Sequence, residues 1–152
     1  AAPPTEEDAD RRRRAAAEID ANGMLGHTAE MLPRLFGPAA SRDPALTLPI
    51  VTAMLRTSPA GAAAALRGRA ERPDYEKLLR DLQPPALVVV GDRDAYSTEE
   101  VTEQLVAALP GPEVLILPGV GHFPNLEAPA AFDEAVRAFA RRANGSRAEP
   151  AA

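Results

Sequence analysis

Two runs, Leu87-Val88-Val89-Val90 and Val114-Leu115-Ile116-Leu117, are apolar at every position, and they constrain the fold more than anything else in the chain. A strand with one wet face alternates, whereas a strand apolar on both faces belongs to a parallel sheet covered on both sides and flanked by other strands. Between the runs lies a helical segment opened by Ser97, Thr98, Glu99 and Glu100 in the S-x-x-E capping pattern, with Val101, Leu105 and Ala108 expected to face inward. Strand, helix, strand is a βαβ unit, so the two strands are expected to be parallel and their connection right-handed. Two strands alone leave amides and carbonyls unpaired along both edges and give the helices little to cover. More sheet is therefore expected, from an upstream segment of the same gene, from a separate chain or from self-association.

Ahead of this unit, residues 1–83 read as helices only. Thr5 followed by Glu6, Glu7 and Asp8 predicts a helix start, and Asn22-Gly23 its stop. Met24, Leu25, Thr28, Met31, Leu32 and Leu35 trace one face at helical spacing up to Gly37-Pro38, with Pro33 kinking the last turn. A third helix is expected around Val51, Met54 and Leu55, a fourth opening on Ser58 and Pro59, and a fifth from Asp74 through Leu82. Pro84-Pro85 ends that stretch. After the second strand, a last helix over Ala130–Arg142 carries Phe132, Val136 and Phe139 on one face, and residues 143–152 are expected to be a disordered tail.

Charge and composition narrow the partners. With a net charge of −5 and the run Arg11–Arg14 preceded by Glu6, Glu7, Asp8 and Asp10, neither a nucleic acid nor a membrane surface is expected as a partner. The chain has no cysteine, so neither a disulfide framework nor thiol chemistry is available. Nothing resembles a signal peptide or a membrane span, which makes a cytoplasmic location the expectation. The first residue is alanine rather than methionine, so a truncated or processed chain is expected.

Both strand runs give way to glycine, the second after Pro118, and then present ionisable groups, Gly91-Asp92-Arg93-Asp94 after the first and Gly119-Val120-Gly121-His122 after the second. Open α/β sheets deliver reacting groups to this carboxyl edge. An acid and an imidazole are thus offered together, although Asp92 beside Asp94 leaves the choice of acid open. The nucleophile that such a pair serves is missing. None of Ser41, Ser58, Ser97 and Ser146 lies between glycines on a strand-to-helix turn, and Ser97 reads as a helix cap. Asp92, Asp94, His122 and Glu127 contain one imidazole and match no common ligand spacing, so no metal is expected. Gly119-Val120-Gly121 is too short for a dinucleotide loop, and no cofactor is expected. His27 reads as a surface or packed histidine.

The segments Pro85-Ala86-Leu87-Val88-Val89-Val90-Gly91-Asp92-Arg93-Asp94 and Gly119-Val120-Gly121-His122-Phe123-Pro124-Asn125-Leu126-Glu127-Ala128-Pro129 closely resemble the last two strand segments of α/β-hydrolases. The resemblance is closest to the branch of 3-oxoadipate enol-lactonases, haloperoxidase-like esterases and meta-cleavage-product hydrolases, which Arg72-Pro73-Asp74 also fits. It implies an α/β fold made of the carboxyl-terminal part of an α/β-hydrolase, with residues 1–83 as a helical lid and residues 84–142 as core. The first six strands, the oxyanion-hole loop and the nucleophile elbow are absent by the same comparison. Carried over, Asp94 matches the family acid and His122 the family base, while Glu127, in an H-x-x-x-x-E-x-P pattern, reads as a carboxylate that fixes its loop. The implied function is hydrolysis of an ester, lactone or related small carbonyl substrate, with the missing amino-terminal half of the fold as partner. The chain by itself is expected to be inactive. The alternative is a non-catalytic remnant or interaction module.

Overall fold

The computed structural model describes residues 2–82 and 84–145. Helix α1 (Glu6–Asn22) starts where the sequence predicts, with the Thr5 hydroxyl accepting from the Asp8 N–H at 3.1 Å and three acids in the first turn. Helix α2 (Met24–Met31) gives way at Leu32–Arg34 to a 3₁₀ turn containing Pro33, so the expected kink is a tightening of the chain. A second 3₁₀ turn spans Ala40–Arg42. Helix α3 (Pro44–Arg56) is capped by Asp43, whose carboxylate accepts from the Ala45 N–H at 2.8 Å. Ser58 and Pro59 open α4 (Pro59–Ala70) as expected, and α5 (Glu76–Arg80) is shorter than the sequence suggests.

Helix α1 packs along α4, and the small side chains Ala16 and Ala63 let the two approach around Ile19 and Met24. A second cluster joins Leu35, Phe36 and Ala40 to Ile50 and Met54 of α3 and to Tyr96 and Phe123, which lie in the loops after the strands. The helical region thus grips the carboxyl edge of the sheet. Leu25, expected on the packed face of α2, is exposed.

Strand β1 (Leu87–Gly91), helix α6 (Glu99–Ala108) and strand β2 (Glu113–Leu117) form the βαβ unit, and the strands pair in parallel from Leu87 opposite Glu113 to Gly91 opposite Leu117. The α6 cap is Thr98, whose hydroxyl accepts from the Val101 N–H at 3.4 Å, and not Ser97, whose hydroxyl is drawn to the Asp94 carboxylate. Ala108 is buried as expected, whereas Thr102 is buried in place of Val101, which is exposed. Helices α7 (Pro124–Glu127) and α8 (Pro129–Gly145) complete the chain, with Phe132 and Phe139 half-buried and Val136 exposed. The tail expected from Ala143 begins inside α8, and residues 146–152 lie outside the described residues.

Among the described residues the sheet consists of these two strands. Val114 is 44% exposed and Ile116 57%, values at odds with strands that are apolar on both faces. No helix among the described residues is long and apolar enough to cross a membrane.

Candidate active site

The loops that follow the two strands are stitched together by their backbones. Asp92 N–H donates to the Leu117 carbonyl at 3.0 Å and Arg93 N–H to that of Val120 at 2.9 Å, so the two loop starts have one fixed relation. The carboxylates then diverge. Asp92 accepts from the Gly119 N–H at 2.6 Å and holds the turn after β2. Asp94 reaches the other way, with Oδ2 2.9 Å from Nδ1 of His122. Of the two aspartates that the sequence left in competition, only Asp94 meets the imidazole.

Asp94 is 5% exposed at its side chain and is held on both oxygens, since Oδ1 accepts from the Tyr96 N–H at 2.8 Å in a turn typical of aspartate. Burial works to raise its pKa, but hydrogen bonds from His122, Tyr96 and Ser97 outweigh it and hold the carboxyl below the ordinary carboxylate range. The group stays ionised beside His122.

His122 is fixed from three directions. Its backbone N–H donates to the Leu35 carbonyl at 2.9 Å, its ring lies edge-on to Tyr96 at 5.2 Å and to Phe123 at 5.6 Å, and Nδ1 is taken by Asp94. The side chain remains 40% exposed. With Nδ1 engaged, Nε2 is the nitrogen left for chemistry, the tautomer and orientation that a general base requires.

Glu127 ties this loop to the helical region. Its Oε2 accepts from Gly37 at 2.8 Å and Gly121 at 2.9 Å, and Oε1 accepts from Phe123 at 3.1 Å. The approach is tight enough to require glycine. A Cβ on Gly121 would lie 2.5 Å from the Gly37 nitrogen, and one on Gly37 would lie 2.1 Å from the Gly119 carbonyl oxygen.

His27 does not join the site; it borders a surface depression with Arg11, Arg14, Glu18 and Glu30. A cleft of about 330 Å³ opens beside Asp94 and is walled by Val90, Ser97, Thr102 and Ile116, but His122 does not line it. It belongs to the open flank of the sheet. Sequence reasoning did not single out Leu35 or Tyr96 as neighbours of His122, nor Gly37 and Arg34, which meet Glu127 and Tyr96 beside it. Only Tyr96 carried a signal, its place two residues after an aspartate at a turn.

The model of the alpha/beta hydrolase family matches residues 1–135. Among solved structures, a thermophilic esterase from Thermogutta terrifontis superposes at a TM-score of 0.88 with 35% identity, over 94% of this chain and 53% of that one. The enol-lactonase from Burkholderia xenovorans LB400 superposes at 0.75 with 25% identity, over 83% of this chain and 48% of its own. A hydrolase from Pseudomonas aeruginosa PA01 superposes at 0.76 with 26% identity, over 90% and 50%. The chain spans about half the length of these structures. No curated protein matches it.

Proposed function

The chain belongs to the alpha/beta hydrolase family, and from that premise we propose that it supplies the acid, the base and the lid of an enzyme that hydrolyses an ester, a lactone or a related small carbonyl compound. Asp94 is the acid and His122 the base. The observation that carries the reading is the 2.9 Å contact between a buried, ionised Asp94 and Nδ1 of a His122 whose ring is still partly open.

In the reaction, Nε2 of His122 takes the proton of a nucleophile as that group attacks the substrate carbonyl, and returns it to the leaving group as the bond to it breaks. Asp94 holds the imidazole in the working tautomer and stabilises its positive form without itself accepting the proton. In this reading the nucleophile and the oxyanion donors come from an amino-terminal half of the fold that this chain does not contain. Residues 1–83 cover the site as a lid. The exposed Val114 and Ile116 and the two-stranded sheet support a partner that completes the sheet.

The test is an assay of the completed enzyme, this chain joined to the preceding half of the fold, on an aryl ester and on a small lactone. Hydrolysis that His122→Ala abolishes supports the proposal. Hydrolysis indifferent to His122, or none on either substrate, would favour the non-catalytic interaction module, which likewise uses the open sheet.

A further inference from the structure

A carboxylate that meets one nitrogen of an imidazole fixes one atom and leaves the ring able to pivot about it, because the torsion that carries an imidazole is broad. Asp94 gives His122 that single point, at Nδ1. What blocks the pivot is aromatic. The Tyr96 and Phe123 rings stand 5.2 and 5.6 Å from the imidazole, with planes inclined to it by 66° and 64°. Rings tilted in this way attract one another and resist rotation.

The two walls are held differently. Phe123 belongs to the same loop as His122, whereas Tyr96 comes from the loop after β1 and is gripped by the helical region. The Tyr96 N–H donates to Oδ1 of Asp94 at 2.8 Å, so one turn sets both the acid and the ring. Its hydroxyl donates at 3.0 Å to the sulfur of Met31, the last residue of α2. The Arg34 guanidinium carbon lies 4.9 Å from the ring centre, and the ring packs on the cluster of Leu35, Phe36 and Ala40. One side chain therefore touches the base, shares a turn with the acid and is tied to α2.

We propose that Tyr96 is a positioning residue for His122: its ring keeps Nε2 of the imidazole in line for proton transfer, and its bond to Met31 makes that alignment depend on the seat of α2. The proposal rests on the hydrolase reading and adds to it a residue that acts through the base.

The test uses the completed enzyme, 4-nitrophenyl acetate and the variants Tyr96→Leu, Tyr96→Phe and Met31→Leu, the last a swap that conserves volume. Tyr96→Leu, which removes the ring, is expected to lower kcat by about 10- to 30-fold with KM changed by under about 3-fold. Tyr96→Phe and Met31→Leu are each expected to lower kcat by about 3- to 5-fold, and the double variant by no more than either alone, because both cut the same bond. A loss carried by KM, a kcat for Tyr96→Leu no lower than that of Tyr96→Phe, or losses that multiply in the double variant overturns the proposal. If Tyr96→Leu does not fold, the double variant decides. A second readout needs no hydrolysis. The proton on Nδ1 of His122, assigned by its loss in His122→Ala, is expected as a sharp downfield resonance in the unaltered enzyme and in Tyr96→Phe, and as one broadened by exchange with water in Tyr96→Leu. If that pattern holds in an enzyme that cleaves no ester, the positioning role stands and the hydrolase reading falls. A resonance equally sharp in Tyr96→Leu, or absent from the unaltered enzyme, overturns the role.

Discussion

The carboxylate of Glu127 accepts a hydrogen bond from the backbone N–H of Gly37, ninety residues earlier in the chain, at 2.8 Å. The same oxygen takes the N–H of Gly121, next to His122, at 2.9 Å. One side chain therefore sets the distance between the helical region and the imidazole loop, and the Leu35–His122 backbone bond runs alongside it. The geometry of the His122 loop depends on residues more than eighty positions earlier in the chain.

Replacing Glu127 by Gln puts an amide nitrogen where a carboxylate oxygen now faces a backbone donor, so at least one part-buried N–H loses its partner. The expected cost in the completed enzyme is about 1–3 kcal/mol, at about 2–4 °C of melting temperature per kcal/mol. Turnover should fall as well, because the His122 loop loosens. A variant with unchanged melting temperature and rate would show that the backbone bonds alone hold the loop.

The two neighbouring aspartates should separate cleanly in kinetics. Asp94→Asn keeps the shape but removes the charge that orients the imidazole, and comparable changes in triad enzymes cost about 10⁴-fold in turnover. Asp92→Asn retains a carbonyl oxygen for the Gly119 N–H and should cost under about 10-fold, through loop geometry. Steady-state rates with Asp92→Asn inactive and Asp94→Asn near normal would reverse the assignment of the acid.

The pH dependence of stability follows from the same carboxylate. Asp94 is held below its ordinary range because hydrogen bonds from His122, Tyr96 and Ser97 outweigh the burial that works to raise it. Near and just below that range the folded state binds fewer protons at this site than the unfolded state does, so its contribution is present above the range and is lost as the pH falls through the folded value. Urea midpoints of the completed enzyme and of Asp94→Asn should therefore differ most above about pH 5 and converge below about pH 4. A gap that stays constant down to about pH 2 would contradict a lowered Asp94.

What the sequence displayed was local or periodic. Thr5, Ser58-Pro59 and Gly91 act within a few residues of themselves, and they placed two helix starts and the end of β1 correctly, while β2 ends at Leu117, two residues before Gly119. The pairing of Asp94 with His122 was legible for the same reason, since adjacent parallel strands bring their carboxyl ends side by side. Ser97 and Thr98 offered the same hydroxyl to the same helix, and the choice was made by the Asp94 carboxylate three residues before Ser97, a group held in place by its long-range contact with His122. Leu25 and Val101 sat one residue away from the true inward faces, which rotates a side chain by about 100° on a helix. The Gly37–Glu127 bond and the Arg34–Tyr96 stack join segments 90 and 62 residues apart, beyond the reach of any local pattern.

The two-stranded sheet predicts how this chain behaves on its own. Val114 and Ile116 are exposed on strands whose composition suits full coverage, and the two-stranded sheet offers too little area for the helices to form a tightly packed core around it. A fully cooperative transition requires one contiguous core, whereas the buried clusters here are small and sit mostly in the helical region. Heated alone and followed by circular dichroism, the chain should lose helix over a broad range, or else should sediment as an associated species that covers its own sheet. It should also leave simple aryl esters unhydrolysed, since it carries the proposed acid and base but no serine between glycines on a strand-to-helix turn. A sharp two-state melt with matching calorimetric and van't Hoff enthalpies, in a species that sediments as a monomer, would mean that the two strands and their helices are a complete domain and that no further sheet is needed.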